Sequence, residues 1–210
     1  DAYMNRQFLE PALRGTYPEE LPGIFGHAWT PRSVADLETI HQPLDYIGVN
    51  YYTRSVVRAD PAAWPLRTAG VRQENRLHTE TGWEVFPQGL TDTLLWIKNR
   101  YGNPPVYITE NGAAFPDPPT VAGPVLEDPL RVDYLRQHLR AVHDAILQGA
   151  DIRGYLAWSL LDNLEWAYGF TKRFGLVHVD YQTLQRTPKT SAHFYSRVIA
   201  SNGAAIDAPH

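Results

Sequence analysis

The sequence predicts an α/β fold built on a parallel sheet, on two observations. Three short stretches, 45–53, 106–109 and 154–160, are almost continuously apolar and rich in β-forming residues, as strands buried on both faces are. Between them run segments whose apolar residues recur at helical spacing, giving the alternating order of a helix-covered parallel sheet. Three such strands cannot close a barrel alone, and so small a parallel sheet leaves two unprotected edges.

Each element has its own justification. Residues 3–13 read as the body of an amphipathic helix, with Tyr3, Met4, Phe8, Leu9, Ala12 and Leu13 on its apolar face. A chain that opens inside a helix is expected to be a piece of something longer. An irregular stretch holding Pro18, Pro22, Gly23, Gly26 and Pro31 leads to a short helix or turn at 33–40. Residues 54–82, with Pro61, Pro65 and Gly70, show no clean period, and a loop that long inside a compact domain is usually functional or mobile. Leu90, Leu94, Ile97 and Tyr101 then predict a helix over 87–101, stopped by Gly102 and the pair Pro104-Pro105.

The strand 106–109 comes next, and after it a Pro-rich loop over 113–127. Asp128 is the expected N-cap of the next helix and Pro129 its first-turn residue, while Val132, Leu135, Leu139, Val142 and Ile146 form one stripe ended by Gly149. Residues 174–187 read as a hairpin turning near Asp180–Leu184. Thr187 and Pro188 open a last helix with Phe194, Val198 and Ile199 on one face.

Bulk properties remove several function classes. A net charge of −4 with scattered signs argues against nucleic acid as a partner, and no polybasic tract or bilayer-length apolar run points to a membrane. Without Cys there are no disulfides, thiolate metal sites or thiol nucleophiles, and the eight His are too dispersed for metal-ligand spacing. A cytoplasmic location is the working expectation, although Cys usage does not fix it. Six Trp, twelve Tyr and seven Phe make the chain aromatic-rich, and several stand beside acids and amides. An apolar ring face next to hydroxyl-binding acids is what a pyranose ring asks of its receptor.

The strand ends carry the chemistry. Tyr107-Ile108-Thr109-Glu110-Asn111-Gly112 is a β-branched run ending in a carboxylate, after which Asn-Gly is expected to turn the backbone away. Asn50-Tyr51-Tyr52 ends the first strand, and Trp158 leads on to Asp162-Asn163-Leu164-Glu165-Trp166 after the third. In a (β/α)-type architecture these carboxyl ends converge on one face. One site would then gather a carboxylate (Glu110), a phenol (Tyr52), an amide (Asn50), a second acid (Glu165) and two indoles (Trp158 and Trp166), a set suited to binding and processing a polyol ring.

The segments YIGVNYYT, VYITENG and GYLAWSLLDNLEWAYGFTKRFGLVHVDYQT resemble those of family 1 glycoside hydrolases, the β-glucosidase family, through nearly all 210 residues. The resemblance implies a TIM (β/α)8 barrel, of which this chain supplies roughly the last three β/α units. Residues 1–210 would then be the C-terminal part of a single catalytic domain, with no separate second domain. It makes Glu110 the nucleophile, Tyr52 its hydrogen-bond donor and Asn50 the amide beside it. It gives Trp158 the glycone floor, on a cis Trp158–Ser159 peptide, Glu165 the C4 and C6 hydroxyls, and Trp166 the C3 hydroxyl. Trp83 matches the aglycone-side platform and Phe174 an aromatic at the pocket end.

Members acting on 6-phosphorylated sugars resemble this chain at Lys172 but typically carry serine where it has Glu165 and tyrosine where it has Phe174. A carboxylate would repel a phosphate dianion, so a non-phosphorylated β-glycoside or cello-oligosaccharide is the expected substrate, with no cofactor. The family's acid/base glutamate lies in an Asn-Glu-Pro motif, and the chain contains none, nor the early-strand Gln and His that help bind the glycone. The N-terminal half of its own barrel is therefore an expected partner, and the chain alone is expected to be inactive. Two rival readings are a non-catalytic sugar-binding module and a thioglucosidase-type or receptor-like relative on the same barrel.

Overall fold

The computed structural model describes residues 1–208. In chain order its elements are α1 (Gln7–Arg14), α2 (Leu21–Phe25), α3 (Val34–Ile40), β1 (Ile47–Asn50), β2 (Val57–Ala59), β3 (Thr68–Gly70), α4 (Gln88–Tyr101), β4 (Val106–Asn111), α5 (Pro129–Leu147), β5 (Ile152–Ala157), β6 (Val177–Val179), β7 (Arg186–Pro188) and α6 (Thr190–Ala200). They form two compact units. One comprises Asp1–Asp45 with Ser55–Gln73; the other comprises Tyr46–Arg54 with the residues from Glu74 on.

The first unit contains the expected opening helix, but not the expected face. A π-turn over Ala2–Arg6 precedes α1, and its wider winding rotates Tyr3 and Met4 out of phase with the α1 residues. Phe8 is 69% exposed, while Glu10 is buried 3.6 Å from the Arg6 guanidinium. In α3, Ser33 and Asp36 form a reciprocal capping box. The periodless stretch 54–82 hides a hairpin, β2 against β3, paired Val57↔Gly70 through Ala59↔Thr68. Its strands are three residues each and largely exposed, so there is no buried face to imprint a period.

The second unit holds a three-stranded parallel sheet in the order β1-β4-β5. One face packs on α4 and α5: Val106 and Ile108 of β4 are buried, with Leu90, Leu94 and Ile97 of α4 and Val132, Leu135 and Leu139 of α5. Ala113, Phe115, Leu176, Phe194 and Val198 complete a cluster against which Tyr155 of β5 packs. The opposite face carries Tyr46, Gly48, Tyr107, Gly154 and Leu156, and both Tyr46 and Leu156 are about half exposed.

Asp128 is the N-cap of α5 as expected, but its side chain makes no capping bond, because its carboxylate already accepts from Arg131 at 2.6 Å and from the Ser191 N–H at 2.8 Å. Two further sequence expectations are corrected here. Ile146 and Ile199 are exposed rather than in their stripes. The buried face of α5 is set as much by Arg131, Tyr134 and His138 as by aliphatic residues, and Ile146 falls beyond its edge.

His138 lies fully buried in α5, stacked on Tyr134 with ring centres 3.9 Å apart. Its Nδ1–H donates to the Tyr134 carbonyl at 2.8 Å, an assignment forced by that acceptor-only partner, and Nε2 has no partner. Burial pulls its pKa down to about 4 from 6.5, against the opposing pull of that carbonyl. Below its ordinary pKa the unfolded chain takes up a proton that the fold refuses. Stability therefore falls as pH drops from about 6.5 to about 4, by on the order of 3 kcal/mol. Chemical denaturation of the complete protein across this range should show that fall, and His138→Phe, which keeps the stack without the titration, should flatten it.

Candidate functional site

Where β4 ends, its ladders lose their regularity. The register with β1 shifts between Val49 and Asn50, and that with β5 between Ile108 and Asn111. Bulges of this kind re-aim side chains. The consequence is that Asn111, rather than Glu110, turns fully into the interior, and Glu110 stays half-buried at the strand's end. The Tyr52 hydroxyl donates to Glu110 Oε2 at 2.6 Å. Burial and the neighbouring Glu110 carboxylate hold the Tyr52 phenol neutral, well above its ordinary pKa, so it remains a donor.

The rings of Tyr52, Trp83 and Phe174 form a mutual cluster: Tyr52 lies 5.0 Å from Trp83 and 6.2 Å from Phe174, and Trp83 lies 6.1 Å from Phe174. Phe174 is buried behind the other two. Asn50 accepts from the Thr109 hydroxyl at 2.7 Å, which fixes its amide beside the end of β4. Burial and the charge on Glu110 raise the pKa of the Glu165 carboxylate, against the opposing influence of the Trp158 indole. Two carboxylates thus share the site, and Glu110 has a fixed donor in Tyr52. Trp166 stands apart at 87% exposed, with its backbone in the left-handed region at φ 42°.

The expected turn at Asn111-Gly112 is corrected. Trp158 N–H donates to the Asn111 carbonyl at 2.9 Å, so the chain stays paired there. A Cβ on Gly112 would sit 1.7 Å from the Trp158 carbonyl oxygen, so glycine is required by the close approach of β5's end. The next peptide in that strand's course, Trp158–Ser159, is cis.

Sequence reasoning missed what braces these loops. Lys189 is fully buried, 2.5 Å from Asp117 and 3.0 Å from Asp162. Asp162 also accepts from Arg173 at 2.7 Å and from the N–H groups of Gly175 and Val179. Burial would raise its pKa, but Lys189, Arg173 and these donors outweigh that and lower it. Arg131 bridges Asp128, the Ala113 carbonyl and the Arg173 carbonyl. Apart from the i,i+3 pair of Arg131 with Asp128, these partners lie 11 to 72 residues apart, a separation no local pattern reports.

Among the described residues no group of three His, Cys, Asp or Glu could hold a metal ion, and no helix is long and apolar enough to cross a membrane.

A carboxylate–phenol pair, a second carboxylate and an aromatic cluster thus gather in the segments that follow parallel strands, where a (β/α)-barrel keeps its functional face. The family model for glycosyl hydrolase family 1 matches residues 1–204, and the chain belongs to that family. It is 50% identical over 207 residues to thermostable β-glucosidase B of Thermobispora bispora, covering 97% of this chain and 43% of that protein. It is 43% identical to a bifunctional β-D-glucosidase/β-D-fucosidase of Bifidobacterium breve, covering 97% of this chain and 48% of the other. The β-glucosidase of Thermotoga maritima in complex with deoxynojirimycin superposes with a TM-score of 0.88 at 40% identity, over 94% of this chain and 44% of that one. The chain thus spans less than half the length of these relatives and supplies a portion of their TIM barrel.

Removing the ammonium from this buried cluster leaves Asp117 and Asp162 each one cation short, although Arg131 and Arg173 still face them, which costs up to about 3–5 kcal/mol. Lys189→Met in the complete protein should lower the stability measured by urea denaturation by that order. Arg153→Met, which breaks only the solvent-exposed 2.5 Å pair with Asp151, should leave the midpoint nearly unchanged.

Proposed function

We propose that this chain carries the nucleophile half of a retaining β-glycosidase acting on non-phosphorylated β-glycosides. The observation that carries this reading is the 2.6 Å bond from Tyr52 to Glu110 at the end of β4. Glu110 forms a bond to the anomeric carbon as the glycosidic C–O bond breaks, and the leaving oxygen takes a proton from a glutamate supplied by upstream residues. Water then attacks the glycosyl-enzyme, giving its proton to that same glutamate and releasing Glu110 as a carboxylate. Donation from Tyr52 stabilises the anion that must attack. Having no Asn-Glu-Pro, the chain lacks this proton donor and is inactive without the N-terminal half of its barrel.

Glu165, whose carboxylate senses both the Trp158 indole and the Glu110 charge, is the acceptor for glycone hydroxyls. Lys172 lies 3.9 Å from Glu80, an arrangement that engages its charge with an acid and supports a substrate without phosphate. The names of the relatives above, glucosidases and one glucosidase/fucosidase, agree with a sugar whose C6 hydroxyl is bound but dispensable.

The test is covalent trapping. An activated 2-deoxy-2-fluoro-β-glucoside should label the complete barrel on Glu110, read by intact mass and peptide mapping. Glu110→Ala should lose turnover on the order of 10⁵- to 10⁶-fold, the scale of removing a covalent nucleophile, and azide should partly rescue it on an aryl glycoside with inversion. Binding without labelling would favour the sugar-binding module instead.

Glu165→Gln weakens charge-assisted hydrogen bonds worth about 1.5–3 kcal/mol each. It should therefore lower kcat/KM roughly 10- to 150-fold on glucosides and galactosides, and much less on fucosides, which have no C6 hydroxyl. Equal losses on all three sugars would assign Glu165 a purely structural role.

A further inference from the structure

The register of the sheet shifts on both sides of Glu110, although the backbone bonds from Tyr51 N–H to the Glu110 carbonyl and from Trp158 N–H to the Asn111 carbonyl persist, yet the Tyr52–Glu110 side-chain bond is short. At a register shift the ladder does not by itself set where the side chains aim. We infer that Asn111 is a positioning residue, whose buried amide locks the ends of β1 and β5 and helix α5 around the nucleophile and so keeps Tyr52 within hydrogen-bonding distance of Glu110. The inference rests on the reading of Glu110 as nucleophile.

Asn111 is fully buried and cannot reach a sugar. Its Nδ2 donates to the Tyr51 carbonyl at 2.6 Å and to the Tyr134 hydroxyl at 3.0 Å. Its Oδ1 accepts from the Tyr155 hydroxyl. The amide orientation is dictated by chemistry, since the Tyr51 carbonyl can only accept and Nδ2 must face it. The Tyr134 hydroxyl, having accepted from Asn111, donates its own proton towards the Tyr52 carbonyl at 3.4 Å. Every polar atom in this chain of contacts therefore has a consistent role. Burial keeps the Tyr134 and Tyr155 phenols neutral, so the arrangement does not change with working pH.

The covalent neighbours give the amide its leverage. Asn111 is bonded to Glu110, and the carbonyls it governs, directly or through Tyr134, belong to Tyr51 and Tyr52. A single side chain thus fixes the separation of the two residues whose oxygens must meet. The backbone bond from Tyr51 N–H to the Glu110 carbonyl, 2.9 Å, aligns the strands across the register shift, and the Asn111 amide adds a side-chain tie to the same two chains. The far sides of the cluster are anchored too: the Tyr51 hydroxyl donates to the Phe86 carbonyl at 2.6 Å and the Tyr195 hydroxyl to the Tyr155 carbonyl at 2.8 Å.

The experiment uses the complete barrel, its upstream half native or taken from the Thermotoga maritima relative. Asn111→Ala should slow trapping by the fluoroglucoside about tenfold or more, the scale of one charge-assisted hydrogen bond. It should move the acid limb of kcat/KM to higher pH, because the Tyr52 donor that favours the charged nucleophile is displaced. Binding of deoxynojirimycin should change little. Tyr52→Phe should move the limb at least as far, and the double variant no further than Tyr52→Phe alone, since both act through one bond. Tyr155→Phe and Tyr134→Phe preserve the packing and should each give a smaller shift in the same direction, which keeps the test open if Asn111→Ala does not fold. Wild-type trapping with an unmoved acid limb, or additive losses in the double variant, would overturn the inference. Failure of the unaltered barrel to label would remove the nucleophile reading itself, and this inference with it.

Discussion

A buried ammonium tied to two aspartates is the constraint on which the functional end of this molecule depends. Lys189 sits where burial and the nearby Arg131 both work against its charge, and the carboxylates of Asp117 and Asp162 hold it. Asp117 belongs to the loop after β4 and Asp162 to the loop after β5. Regular backbone in these loops is limited to one 3-10 turn, Trp166–Tyr168, and isolated bridges such as that at Leu161. Moving them apart would strand ions in a low-dielectric interior, which costs more than any single loop contact returns. The position of the loops is set from below, by charge.

Ion clusters of this kind are weak devices for stability, since well-packed apolar residues can match them. Their value here is geometric. Asp162 accepts two backbone N–H groups as well as two cations, so the segment bearing Glu165 and the segment beyond Phe174 move as one piece. Gly175 is part of the same fit, because a Cβ there would lie 2.2 Å from the Asp162 nitrogen. Glu110 then meets a donor already in place, the Tyr52 hydroxyl. Such preorganisation lets charge develop without waiting for the protein to rearrange.

How much was legible in the sequence depends on the range of the forces involved. The strands at 47–50, 106–111 and 152–157 were legible as apolar, β-forming runs and the helices at 88–101 and 129–147 as periodic burial, both of which a one-dimensional pattern records. Glu110 and Tyr52 were legible because both sit at strand ends. The hairpin of β2 and β3 was not, since strands this short and exposed leave no period. Asn111 and Gly112 were read as a turn. Their structural reasons, an amide shared by three elements and a carbonyl approaching from β5, arise only when residues some 45 to 60 positions apart are brought together. Phe8 shows the opposite failure, an apolar residue counted into a helical stripe that stands 69% exposed while Glu10 of the same helix is buried.

The uncovered face of the sheet carries its own statement about architecture. Gly48, Tyr107 and Gly154 are register partners across β1, β4 and β5, so one large ring lies between two residues with no side chain. The ring occupies the vacant space: a Cβ on Gly154 would come within 2.6 Å of Tyr107, and one on Gly48 within 3.1 Å of the adjacent Thr109. Tyr46 then closes edge-on against Tyr107 at 5.0 Å. A flat sheet covered by a second helical layer would favour side chains of even size along such a row. Alternation of large and absent side chains suits strands whose inner faces converge on an axis, where only some positions have room to point inward. The same convergence brings the three carboxyl ends close enough for one amide to span them. The curvature of the barrel segment and the placement of Glu110 are therefore consequences of a single packing choice.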